Sequence, residues 1–218
     1  MNFRLFDIVK LFPIRGKRLL RHFIHFRYHN FSFWTLELLF QLLELLGIGD
    51  FYDISSNIIK FSSRRLSERE IALAKSIFGE SLPYERVRID ESAWLGPRQG
   101  KFCYVSFYTI NSWGKMLDSL LIHELTHIWQ YHYVGIIYIP RALAAQRSAE
   151  GYNYGGVTAL REAIKNNKKL LDFNYEQQAD IIEDYFRLLI GLRPSWGSAT
   201  HNDLIIYAHF AKQLDIKH

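Results

Sequence analysis

Two imidazoles and a carboxylate stand within five residues at His123-Glu124-Leu125-Thr126-His127. On a helix, positions i and i+4 project from one face about one turn apart, so both rings can reach a single ion, and Glu124 lies beside the place where a water on that ion would sit. In a chain of 218 residues with 9 histidines, the spacing arises by chance with a probability of roughly 0.02, so the neighbouring residues decide how it is read. They describe a packed helix: Leu121, Leu125, Ile128 and Trp129 fall behind the histidines, while Ser119, Thr126 and Gln130 flank them. The single cysteine, Cys103, excludes an intramolecular disulfide and thiolate-rich metal sites. A metal here must be held by histidine and carboxylate, and Zn2+ is the ion such a set suits.

Catalytic zinc takes three protein ligands and keeps a position open for water. Downstream, Glu176 and Asp180 share one face of a predicted helix, opposite Ile181, Ile182, Tyr185 and Leu189. Taken alone, Glu176, Asp180, Glu183 and Arg187 read as a solvated face with an ordinary ion pair. Beside a helix carrying H-E-x-x-H, Glu176 reads as the third ligand and Asp180 as the acceptor for the far ring nitrogen of a ligand histidine. Glu150 and Glu183 are the alternative third ligands. Glu124 is then the general base for hydrolysis by an activated water, later passing the proton to the leaving amine. A donor for the developing oxyanion is sought among Tyr152, Tyr154 and His201, with Tyr154 carried forward as a catalytic candidate beside Glu124. The third-histidine extension of the metzincins is absent, with Gln130, Tyr131 and Val134 near where it would lie.

H-E-x-x-H followed on a later helix by E-x-x-x-D resembles the gluzincin branch of zinc metallopeptidases. More narrowly, the runs Leu66 to Leu82, Val87-Arg88-Ile89, Leu121 to Gln130 and Glu176-Gln177-Gln178-Ala179-Asp180 are similar to a bacterial family of minimal zincins that accompany polymorphic toxins and contractile injection systems. The resemblance covers residues 62 to 190, with the H-E-L-T-H-x-W-Q stretch its most specific part. It implies an α+β fold, mostly helical and zincin-like with a small sheet preceding the H-E-x-x-H helix, zinc held by His123, His127 and Glu176, and Asp180 orienting a histidine. About fifty residues separate His127 from Glu176, more than in familiar gluzincins.

Residue patterns supply the elements that must position these groups. Ser67 and Glu70 form a capping-box signature for a helix over Glu68 to Phe78. Val87 to Asp90 and the aromatic, β-branched run Phe102 to Ile110 read as strands. Helical spacing then covers Met116 to Tyr133, Arg141 to Glu150, Val157 to Lys165, Tyr175 to Ile190 with Asn174 as its cap, and Asn202 to Leu214. A polar connector near residue 62 divides the chain into an N-terminal helical extension, residues 1–61, and a domain over 62–218.

The net charge is +5, but it is not spread evenly. Residues 1 to 30 carry Arg4, Lys10, Arg15, Lys17, Arg18, Arg21 and Arg27 against Asp7 alone, so the remainder is nearly neutral. A basic arm interleaved with Phe and Leu suits an anionic membrane surface or a partner protein, and the near-neutral domain gives no reason to expect nucleic acid. Phe31 to Leu46 is apolar except for Glu37, Gln41 and Glu44, which fall on one helical stripe, so it reads as a packed helix and not as a membrane span. Charges at Arg4, Asp7 and Lys10 interrupt any secretory h-region. The expectation is a chain made in the cytoplasm and either exported by a specialised secretion system or peripherally membrane-associated.

Other signals carry less. Gly96 to Lys101 lacks the spacing and the hydroxyl of a phosphate loop, and Phe102 stands where that hydroxyl would be. His22, His25 and His29 alternate with Arg and aromatics and read as a basic helix face with no carboxylate partner. The expected activity is zinc-dependent cleavage of a peptide or protein substrate. The alternative is a catalytically silent zincin-fold module that binds through its N-terminal arm.

Overall fold

The computed structural model describes residues 5–24, 30–59, 63–94, 97–100 and 102–215. The division expected at 61/62, together with His25 and His29, lies outside them. The chain opens with α1 (Leu5–Ile24), α2 (Phe31–Leu45) and α3 (Ile48–Ile59). There follow β1 (Ser63–Arg65), α4 (Glu68–Phe78), β2 (Arg88–Asp90), the single turn α5 (Pro97–Gly100), β3 (Tyr104–Ser106) and β4 (Thr109–Asn111). The rest is helical: α6 (Asp118–Val134), α7 (Tyr138–Gln146), α8 (Gly156–Lys165), α9 (Tyr175–Leu189) and α10 (Leu204–Ala211). The fold is α+β, mostly helical, with a small four-stranded sheet ahead of the helix that bears His123 and His127, as expected.

The sheet runs β1-β2-β4-β3, with β2 and β4 parallel and both outer pairs antiparallel. The expected continuous strand over Phe102 to Ile110 is instead a hairpin. Phe107 turns the chain at a φ of 57°, between the paired residues Ser106 and Thr109. No Gly or Asn announces this turn. Tertiary packing compensates the left-handed backbone, because the Phe107 ring is buried against Tyr52 and Tyr131 with centroids 5.0 and 5.3 Å away.

Ile89 and Ile110 of the sheet, Ile122, Leu125 and Ile128 of α6, and Ile181 and Ile182 of α9 are all fully buried. Helix α6 is covered on every side from Leu121 to Tyr131. A polar group on it must therefore find a partner inside the protein. The start of α9 is fixed by a capping box, Asn174 accepting from the Gln177 amide at 2.9 Å and Gln177 from that of Asn174 at 3.3 Å. This places Glu176 in the first turn, where the helix dipole favours a carboxylate. The Ser67–Glu70 box also forms, and Arg64 clasps Glu70 through two 2.8 Å hydrogen bonds.

Helices α1 and α2 are anchored near the end of α6. Arg18 pairs with Glu44 at 2.6 Å and donates to the carbonyls of His132 and Tyr133 at 2.8 and 3.1 Å. Gly135, at a φ of 80° and ψ of −159°, makes room for this cluster, since a Cβ there would overlap both the Glu44 carboxylate and the Arg18 guanidinium. Gly135→Ala is expected to cost on the order of 1–3 kcal/mol from backbone strain alone, and more from the displaced ion pair. Urea unfolding of the variant measures it.

Candidate metal centre

His123 and His127 project from α6 toward the first turn of α9, their ring centroids 5.0 Å apart. Both present Nε2 to the same atom, Oε2 of Glu176, at 3.6 Å from His123 and 3.3 Å from His127. A tetrahedral zinc with bonds of 2.0–2.1 Å separates its ligand atoms by about 3.3–3.4 Å. The two nitrogen-to-oxygen separations thus lie near the edge length of such a tetrahedron, and all three atoms lie within 4.8 Å of one another, close enough together to hold a metal ion.

Glu176 and His127 are hydrogen-bonded on their outward sides, which leaves their inward lone pairs available. The Gln146 amide donates to Glu176 Oε1 at 2.9 Å, whereas the buried Oε2 has no hydrogen-bond partner among the described residues. The Gln130 amide nitrogen donates to the Tyr175 carbonyl at 2.8 Å and to Gln178 Oε1 at 3.0 Å. Its Oε1 therefore faces His127 Nδ1, 2.9 Å away, and can only accept. That assigns the proton of neutral His127 to Nδ1 and leaves Nε2 as a bare donor atom. On His123, Nδ1 lies 2.8 Å from Asp180 Oδ1 and 3.3 Å from Glu183 Oε2, and Asp180 in turn accepts from the Trp196 indole.

Glu124 is buried beside the two rings, and its Oε2 likewise has no hydrogen-bond partner among the described residues. Two orphaned carboxylate oxygens in one buried cluster are costly unless a ligand engages them. Burial raises the Glu124 pKa, only partly opposed by the nearby imidazoles. Burial alone would also raise that of Glu176, but the charge of His127 and contacts with both rings pull it well below the usual carboxylate range. Both histidines shift upward: desolvation pushes them down, and the carboxylates of Asp180, Glu176 and Glu183 around His123, and of Glu176 around His127, outweigh it.

The structure therefore gathers His123, Glu124, His127, Glu176 and Asp180. Glu183 joins on the Nδ1 side of His123, away from the Nε2 atoms, and Glu150 is exposed in the turn after α7. Tyr154 is placed elsewhere. It is 4% exposed, and its hydroxyl donates to Asp184 at 2.6 Å and lies 3.0 Å from Tyr207. Asp184 also accepts from the Ser195 and Trp196 amides, so this is a closed network under the chain between α9 and α10. Two tyrosines border the cluster: the Tyr152 ring lies 6.2 Å from that of His123, and the buried Tyr138 ring 5.9 Å from that of His127. Tyr154→Phe is expected to cost about 1–3 kcal/mol of folding stability, as for a buried hydrogen bond to a charged group, with metal content unchanged. Thermal unfolding and metal analysis of the variant read both.

Gln146 and Trp196 had no sequence signature. Gln130 and Gln178 were discoverable in principle, lying three residues after His127 and two after Glu176, but a glutamine amide announces no chemistry by itself.

No family model matches the chain. Over 139 residues, 57% of the chain, it is 34% identical to the type VI secretion system spike protein VgrG2b of Pseudomonas aeruginosa, and the match spans 13% of that protein's length. Among solved structures, the effector domain of Pseudomonas aeruginosa VgrG2b aligns with 56% of this chain and 73% of that one, at 28% identity and a TM-score of 0.36. The chain is thus related in sequence, over 57% of its length, to a spike protein of a type VI secretion system.

Proposed function

We propose that this protein is a zinc-dependent peptidase of the gluzincin type, exported as a secretion-system effector. The observation that carries the reading is the convergence of His123 Nε2 and His127 Nε2 on one unpartnered Glu176 oxygen, with the buried Glu124 carboxylate beside them. His123, His127 and Glu176 are the residues that would hold the metal. Bound zinc supplies Lewis acidity, lowering the pKa of water toward about 7 and polarising a carbonyl.

The chain's own groups do the remainder. Glu124 takes a proton from the attacking water as the new C–O bond forms. As the C–N bond breaks, the same carboxyl passes that proton to the departing nitrogen. A pKa raised by burial suits it to both roles. Asp180 and Gln130 hold the rings from behind. We read Tyr152, whose ring lies 6.2 Å from that of His123, as the donor toward a developing oxyanion. Strand β3 ends the sheet, the position at which an extended peptide would add by backbone pairing. The similarity to a spike protein of a type VI secretion system supports export by such a route.

The test is cleavage of an unfolded protein such as reduced casein by the purified chain. Activity should vanish with a zinc chelator and return with added zinc, and a fully zinc-loaded protein that cleaves nothing contradicts the reading. Gln146→Ala provides a finer check. Gln146 is exposed, so its loss should leave the helices intact, yet zinc affinity should fall about 10–100-fold once Glu176 loses its brace. Competition with a chromophoric chelator measures that change.

A further inference from the structure

Helix α2 is packed inside out. Its polar stripe, Glu37, Gln41 and Glu44, faces the protein, with Gln41 3% and Glu44 5% exposed. The opposite side of the same helix carries Leu39 and Leu42, with Leu46 just beyond its end, and Leu39 is 51% and Leu46 76% exposed. Helix α1 repeats the inversion. Arg15, Arg18 and His22 turn inward, to Asp50, Glu44 and Glu37 respectively, while Leu20, Phe23 and Ile24 turn outward. His22 thus has the carboxylate partner that its sequence context did not suggest. A helix docked on a protein in water buries its apolar stripe, so two neighbouring helices with ionic interiors and apolar exteriors belong against an apolar phase.

We infer that the outer face of α1 and α2 docks on the surface of an anionic lipid bilayer. Helix α2 is too short to span: its 15 residues rise only about 22 Å against a hydrocarbon core of about 30 Å. Among the described residues no helix is long and apolar enough to cross. Charge selects the occupant. Lys17 and Arg21 are exposed along one margin of the apolar face of α1, within a segment whose first 30 residues carry seven basic side chains against one acidic. Apolar side chains flanked by lysine and arginine match the acyl boundary and the phosphates of an anionic leaflet. A second copy presenting the same face would oppose like charges.

The inference also gives the ion pairs beneath the face a role. Arg18, bonded to carbonyls at the end of α6, and Arg141 of α7, bonded to Glu37 and at 3.2 Å to the Tyr175 hydroxyl of α9, tie the docking face to the helices that carry the candidate metal centre. Docking would hold that centre in one orientation to the membrane. The inference does not depend on peptidase activity, because its test reads binding alone.

The experiment is co-sedimentation of the full chain with vesicles of phosphatidylcholine alone or with about a third phosphatidylglycerol. Partitioning should be at least about tenfold stronger on the anionic vesicles and should weaken as salt is raised. Leu39→Gln/Leu42→Gln/Leu46→Gln should lower it about 100-fold with circular dichroism unchanged, and Lys17→Glu should lower it on anionic vesicles only. Equal binding to both vesicles, binding to neither, or binding indifferent to the triple substitution overturns the inference. A soluble dimer that the triple substitution dissolves, seen by sedimentation velocity, does so as well.

Discussion

Glu124→Gln is expected to reduce peptide cleavage by about 10²–10⁴-fold while leaving zinc content at the wild-type level. The substitution keeps shape and volume at a fully enclosed position of α6, so the packing around Ile122, Leu125 and Ile128 is undisturbed. What it removes is a carboxylate able to take a proton and return it. Glu124 is also the group whose Oε2 has no protein partner, so the amide leaves no broken protein hydrogen bond at that atom. Steady-state cleavage and metal analysis on one preparation read the two effects together. Equal loss of zinc and activity would move Glu124 from proton transfer to metal retention. Activity that survives the change would remove it from the chemistry altogether.

Removing the metal is expected to destabilise the protein by about 4 kcal/mol when free zinc stands about a thousandfold above its dissociation constant. The loss should grow with pH. In the metal-free protein the pKa values of His123 and His127 lie above the ordinary value of 6.5, since their carboxylate neighbours outweigh desolvation. A raised folded-state pKa contributes stability that is complete below the unfolded value and is lost as pH rises through the folded one. The metal-free form therefore weakens upward from about pH 6.5 as these rings deprotonate, in the range where zinc, binding neutral imidazole, no longer competes with protons. Thermal unfolding with and without chelator should show a wider gap at pH 8 than at pH 6. A gap that narrows as pH rises would place the histidines outside the metal site.

The motif was legible because helix geometry converts spacing into direction: a step of four positions from His123 to His127, and another from Glu176 to Asp180, places each pair on one face. The cap at Asn174 was legible for the same local reason, and it sets where Glu176 begins its helix. The glutamines that aim the site were not. Gln146 reaches Glu176 from α7 and Gln130 is fixed by Gln178 and a backbone carbonyl, contacts that exist only after three helices have packed. Tyr154 and Tyr152 differ by two residues, and only the path of the chain decides that one meets Asp184 and the other His123. The hairpin at Phe107 was hidden because its turn uses aromatic residues that tertiary packing, and not backbone preference, holds in place. The inverted helix α2 shows the converse. Its stripe of Glu37, Gln41 and Glu44 was plain in the sequence, but which side faced the protein depended on Arg18 and Arg141, distant along the chain.

His123, His127 and Glu176 should share one zinc ion. Zinc-edge X-ray absorption on the purified chain, with metal content measured on the same sample, tests it most directly. The expected result is about one zinc per chain with two imidazole nitrogens and carboxylate and water oxygens at about 2.0–2.2 Å, and loss of the ion in Glu176→Ala. A protein that takes up no zinc at saturating concentration, or whose zinc shell is unchanged in Glu176→Ala, would contradict it.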